Sequence, residues 1–156
     1  LSKLLFQKKN YICQIKILST KGLILKTRKM SKKIISTTNA PAAIGPYSQA
    51  NFINGVLYIS GQIPINPATG ELEDGIEKET HQVMKNLKAI LEEAGMSFSN
   101  VVKATIFLKS MDDFAAMNEI YASYLDANSY PARETVQVSC LPKNVSVEIS
   151  MIAHQF

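Results

Sequence analysis

Among 156 residues the sequence holds only two cysteines, Cys13 and Cys140, with no C-x-x-C and no metal-ligand spacing. That scarcity argues against a disulfide framework or a zinc centre and fits a reducing compartment. No apolar run approaches the ~18 residues needed to span a membrane. Repeats and low-complexity segments are missing too. Acid is absent from residues 1–30, which carry seven lysines and Arg28. Residues 31–156 hold nine basic and thirteen acidic residues, so the formal net charge of +4 combines a basic leader with a body of net −4. A net charge of −4 argues against nucleic acid, which normally wants a clustered basic face, and with the lack of a histidine pair or metal cluster it weighs against ribonuclease chemistry.

The length fits one domain with a real core, and 46% hydrophobic and 19% charged residues are ordinary for a globular chain. We divide it into a leader, 1–30, and a body, 31–156. The leader is basic and acid-free, as organellar transit peptides are, but keeps no sustained helical period and has only one arginine. Met30 is followed by "SKKIIST", which reads well as a natural start. Two readings stand: a transit-type extension, which implies mitochondria, or upstream sequence outside a mature cytoplasmic protein.

In the body, "SKKIIST" (31–37) reads as a strand and "NAPAAIGPYSQA" (39–50) as a loop turned by Pro41, Gly45 and Pro46. Asn54-Gly55 between apolar flanks predicts a hairpin over 52–61, followed by a second loop, 62–75. Ile76, Thr80, Val83, Leu87, Ile90 and Ala94 recur at helical intervals up to Gly95, with Glu77 and Glu79 in the first turn. His81 shares the polar face of that helix with Lys85 and Lys88 and reads as solvated. A strand is expected over 101–109. A second helix over 111–125 follows, capped by Asp112 or Asp113, with Phe114, Met117, Ile120, Tyr121 and Tyr124 inward. Two more strands, 133–139 and 145–153, complete the chain.

This order predicts an α/β (α+β) fold, a mixed sheet with two helices on one face. Alternation assigns Val102, Ala104, Ile106 and Leu108 to the covered face, with Val136 and Val138, and with Val145, Val147, Ile149 and Met151. The open face then carries Lys103, Thr105 and Phe107; Arg133, Thr135 and Gln137; and Ser146, Glu148 and Ser150. Small polar residues with few charges favour a face packed on another subunit over one bathed in solvent. Strands 133–139 and 145–153 are expected to be neighbours, which would put Arg133 near Glu148.

Arginine is as scarce as cysteine. From Ser31 onward, lysine supplies positive charge eight times and arginine once, at Arg133 in "YPARETVQV". Its rigid planar fork matches a carboxylate with two parallel hydrogen bonds, as a lysine cannot. The bland alternative is an ion pair with Glu148 or Glu134. Tyr47 lies on a proline-glycine loop of the kind that displays functional groups. At Ser60-Gly61 a missing side chain would let a ligand approach backbone amides. Glu148, in an apolar strand, could orient a water or serve as a salt-bridged interface carboxylate.

The blocks "NAPAAIGPYSQA", "YISGQIPINPATGE", "NLKAILEEAG", "VVKATIFL", "MNEIYASY", "YPARETVQV" and "LPKNVSVEI" span the body in order. Together they resemble the Rid (YjgF-type) family of reactive intermediate deaminases, once labelled L-PSP endoribonucleases, and its RidA subgroup in particular. The resemblance implies a chorismate-mutase-like protomer in a homotrimer, its open sheet faces forming a central barrel and its sites between subunits. It implies hydrolysis of 2-aminoacrylate and related enamines or imines to 2-oxo acids and ammonia, with no metal or organic cofactor. Residue by residue, Arg133 matches the carboxylate clamp and Tyr47 the loop tyrosine lining the site. Ser60 and Gly61 match the strand end beside the ligand, and Asn118 a helix asparagine near the pocket. Glu148 matches the carboxylate that positions water. Thr135 stands where many RidA members have cysteine, which removes thiol chemistry but leaves its backbone available to a ligand; Glu134 is unusual beside the arginine. A non-catalytic module that captures small carboxylates would use the same residues.

Overall fold

The computed structural model describes residues 13–15, 26–28 and 31–156. Its chain divides into two units, Leu1–Lys32 and Lys33–Phe156. In the first, strands β1 (Cys13–Ile15) and β2 (Lys26–Arg28) pair antiparallel. Expectations about the remaining leader residues lie outside the described ones.

The second unit is a six-stranded mixed sheet with two helices, as the alternating pattern predicts. Its strands are β3 (Lys33–Ile35), β4 (Ala50–Ile53), β5 (Val56–Gln62), β6 (Val101–Leu108), β7 (Ala132–Gln137) and β8 (Val147–His154). Their order across the sheet is β3-β4-β5-β8-β6-β7, antiparallel except for the β6–β7 pair. The β4–β5 hairpin turns at Asn54 (φ 52°) and Gly55 (φ 82°). Two positive φ values in succession are what a two-residue hairpin turn demands and what Asn-Gly supplies most readily.

Helix α1 (Ile76–Glu93) buries Val83, Met84, Leu87, Ile90 and Leu91 against the sheet, the face its periodicity marks. Opposite them lie Leu57, Ile59, Ala104, Ile106, Leu108, Val147, Ile149 and Met151, all in one core. The first-turn Glu79 does more than meet the helix dipole. It is buried, and its carboxylate accepts hydrogen bonds from the Ser146 amide (2.7 Å) and hydroxyl (2.8 Å), fixing the entry to β8. Helix α2 (Phe114–Ser123) follows a short 3-10 turn at Met111–Asp113. The cap there is Ser110, whose hydroxyl accepts from the Asp112 amide (3.1 Å). Asp113 takes the N-terminal position without a side-chain cap bond, and Asp112 is not the cap either.

Four expectations about faces need correction, the first being Ser146, whose hydroxyl turns to Glu79 of α1 instead of the open face. Val102 is 42% exposed, because a register shift between Val101 and Lys103 turns Val101 inward in its place. In the parallel β6–β7 pair, Arg133, Thr135 and Gln137 stand beside Ala104, Ile106 and Leu108, so they belong to the helix-covered side. Val136 instead shares the open face with Phe107 and is 45% exposed, while Val138 lies just beyond the strand. A one-residue difference in register reverses every side chain of a strand, and an edge strand with mixed residues on both faces gives alternation little purchase. Finally, β7 and β8 are not neighbours: β6 runs between them.

Candidate functional site

Arg133 sits near the start of the edge strand β7, at a cavity of about 370 Å³ lined by Asn118, Tyr121, Ala122, Tyr130, Pro131 and the arginine itself. The parallel register turns its side chain toward α2. There its Nη1 donates to Asn118 Oδ1 (2.7 Å), and its Cζ lies 5.7 Å from the Phe114 ring centroid and 5.2 Å from that of Tyr121. Arginine has five N–H donors. A neutral amide engages one of the two Nη groups, and no carboxylate among the described residues pairs with the guanidinium. Both acids that could have neutralised it lie elsewhere. Glu134 points to the other face, accepting from Thr105 Oγ1 (2.7 Å) and pairing with Lys103 Nζ (3.2 Å); these contacts hold its carboxyl below the usual range.

Glu148 lies on the open face in the row of Phe107 and Val136, two strands away from Arg133. Its carboxylate is set against Gly61. At this point β5 bulges: Ser60 and Gly61 together oppose the single Ser150 of β8. A Cβ on Gly61 would lie 2.8 Å from Glu148 Cδ and 3.1 Å from Cγ, so the carboxylate keeps this position only beside a glycine. Burial pushes the Glu148 carboxyl above its ordinary range. Ser60 is anchored rather than free, its hydroxyl donating to the Ser48 carbonyl (2.7 Å). That bond ties the Tyr47 loop to the bulge. A buried Gln49 holds the same loop from within, donating to the carbonyls of Thr37, Ala40 and Pro41 while accepting from the Thr37 amide. Tyr47 is thereby displayed at 48% exposure and shares a recess with Gly61, Pro41, Ala42 and Ile44.

The residues picked out from sequence therefore form two groups on opposite sides of one sheet. Arg133 and Asn118 stand on the helix side; Ser60, Gly61 and Glu148 stand on the other, with Tyr47 in the recess beside Gly61. Thr135 lies on the helix side of β7, its hydroxyl buried and without a partner. Sequence reading missed Phe114 and Tyr121 as neighbours of the arginine, placing them only on the buried stripe of α2. With Asn118 they recur at helical spacing, and that was the signal available.

The family profile described as Endoribonuclease L-PSP matches residues 37–155. This chain belongs to the Rid (YjgF-type) family. Among its Rid relatives, a Mus musculus protein named 2-iminobutanoate/2-iminopropanoate deaminase is 50% identical over 125 residues, covering 80% of this chain and 92% of that one. The crystal structure of RidA from the Antarctic bacterium Psychrobacter sp. is similar at 45% identity and TM-score 0.77, covering 79% of this chain and 99% of its own. TdcF of E. coli, crystallised with bound serine, matches at 41% identity and TM-score 0.77, covering 80% and 99%. All three alignments cover about the length of the body.

The packing of Glu148 on Gly61 gives this Rid chain a direct test. Gly61→Ala forces the carboxylate, the far end of a side chain, to swing aside while leaving the core untouched. We expect the melting temperature to change little and kcat to fall by about 10²-fold, the scale of an ångström-sized misplacement. Thermal melts and steady-state kinetics on the same preparation check it.

Proposed function

We propose that the chain hydrolyses short-lived 2-imino acids and their enamine tautomers, such as 2-aminoacrylate, to 2-oxo acids and ammonia, without metal or organic cofactor. The observation that carries this reading is the Arg133 fork, oriented by an amide and two rings, with no acid among the described residues paired to it, at the edge of a cavity. A small 2-imino acid has a planar carboxylate to offer and little else. Support comes from the mouse relative's name and from serine, another small α-carboxylate, bound in TdcF.

The chemistry asks little of the protein. Once an enamine has tautomerised, its imine carbon is already electrophilic. Arg133 fixes the carboxylate, and water adds to the carbon while Glu148 takes its proton. Glu148 returns that proton to nitrogen to complete the carbinolamine, then passes the new hydroxyl's proton to the same nitrogen, so that the C–N bond breaks, the C=O of the 2-oxo acid forms and ammonia leaves. Tyr47 and the Gly61 backbone line the Glu148 side.

This reading requires two copies of the chain. Arg133 and Glu148 lie on opposite faces of one protomer, so a shared substrate must bind where the Arg133 side of one copy meets the Glu148 side of another. The open sheet face, with Ile34, Tyr58 and Val136 each more than 40% exposed, is a surface suited to burial against such copies. A homotrimer with three such clefts is the assembly we assign.

A coupled assay tests the function: generate 2-aminoacrylate with a pyridoxal-phosphate lyase and follow its loss with and without the purified chain. Accelerated conversion to pyruvate and ammonia is expected. Binding of 2-oxo acids without acceleration would instead mark a carboxylate-capturing module. RNA cleavage that persists in Arg133→Ala would favour the endoribonuclease of the family's description.

A further inference from the structure

Phe114, Tyr121 and Asn118 form three sides of an enclosure around the Arg133 guanidinium. We infer that Tyr121 and Phe114 are positioning residues, a ring cage that sets the plane of the Arg133 fork and so determines how tightly the substrate carboxylate is held. The inference rests on the deaminase reading above and adds to it the device that makes one exposed arginine an effective clamp.

A long arginine side chain at a sheet edge has many rotamers, and holding one of them costs entropy each time a ligand binds. Contacts already present in the free protein remove that cost beforehand. The Asn118 bond fixes one corner of the guanidinium, and the rings at 5.2 and 5.7 Å restrict its remaining freedom. Aromatic faces attract a cation without using up its N–H donors, so the fork is held while its hydrogen-bonding capacity is kept. A carboxylate in the same place would hold the arginine too, but would neutralise it.

Tyr121 separates the ring's contribution from that of the hydroxyl. The residue is 3% exposed, and its hydroxyl is buried without a partner. The hydroxyl therefore stabilises nothing visible in the fold, whereas the ring lines the cavity and faces the cation. Phenylalanine should replace tyrosine without functional loss; a residue with no ring should not.

The test compares wild type, Tyr121→Phe, Tyr121→Leu and Phe114→Leu by kcat, KM, calorimetric affinity for 2-oxobutanoate, and thermal melting. Tyr121→Phe is expected to match wild type in KM and to melt at the same temperature or higher, since a buried unpaired hydroxyl has gone. Tyr121→Leu and Phe114→Leu are expected to raise KM and the 2-oxobutanoate Kd together, by roughly three- to thirtyfold, with kcat within about twofold. Phe114 is only partly buried, so its variant carries the test should Tyr121→Leu fail to fold. Folded leucine variants with wild-type KM would overturn the cage alone. A KM rise in Tyr121→Phe equal to that in Tyr121→Leu would assign the effect to the hydroxyl and also overturn it. A wild-type chain that neither turns over 2-aminoacrylate nor binds 2-oxobutanoate would remove the functional reading and the cage with it.

Discussion

Arg133→Ala is expected to lower kcat/KM for 2-imino acids by about 10²–10⁴-fold while leaving the fold and the proposed assembly intact. Each charge-assisted hydrogen bond from the fork to a carboxylate contributes roughly 1.5–3 kcal/mol, and a bidentate pair makes two. The residue is exposed on an edge strand, so its removal leaves no core cavity. Nor does it strand an acid, since its partners among the described residues are an amide and two rings. Arg133→Lys should recover only a small part of the loss, because an ammonium keeps the charge without the planar geometry. Kinetics with melting curves and gel filtration on the same samples check the prediction. Retained activity in a folded Arg133→Ala would exclude the arginine as the clamp.

Glu148→Gln is expected to reduce kcat by about 10²–10⁴-fold with a small change in KM, as befits loss of a general base. The pH dependence adds a signed test. Burial raises the Glu148 pKa, so its carboxylate protonates at a higher pH than an ordinary glutamate does. The acid limb of wild-type kcat/KM should therefore lie above the usual carboxylate range and vanish in the glutamine variant. Stability runs the other way. Because the folded state holds this proton more tightly than the unfolded chain, wild-type stability falls as pH rises from the unfolded to the folded pKa. At neutral pH Glu148→Gln should melt at or above the wild-type temperature, an inactive variant that is no less stable. A variant with near-normal turnover would remove Glu148 as the partner of the water.

Much of the fold is legible in the sequence because its signals are redundant. Asn54-Gly55 specifies a turn that only positive φ values close, and the α1 stripe is both long and regular. Rows such as Ala104, Ile106, Leu108 and Val147, Ile149, Met151 alternate cleanly because their strands are central and buried on one side. Strand β7 defeats the same logic. At the edge of the sheet, Thr135 and Val136 look equally suited to either face, and the register comes from a parallel pairing across α2 that alternation cannot report. Val102 fails for a related reason, a bulge that shifts the count by one.

The sequence names candidate residues but not how they are arranged. Arg133 stands out by composition, Tyr47, Ser60, Gly61 and Glu148 by their local setting, and the resemblance adds Asn118 and Thr135. Sequence placed Arg133 beside Glu148 because it took β7 and β8 as neighbours, whereas β6 separates them and the two side chains face opposite ways. Partners such as Glu79 with Ser146 and Gln49 with three carbonyls are far apart in the chain and follow no period. Only the folded chain brings them together.

The central claim is that one substrate is held by Arg133 of one copy and acted on by Glu148 of another. Mixing Arg133→Ala and Glu148→Ala chains, each inactive alone, by co-refolding at equal amounts tests it most directly. In a closed ring of randomly assorted subunits, about a quarter of the clefts receive both intact residues. Recovery of about a quarter of wild-type turnover is the predicted result; a mixed assembly, verified by mass, that stays as inactive as its parents would contradict it.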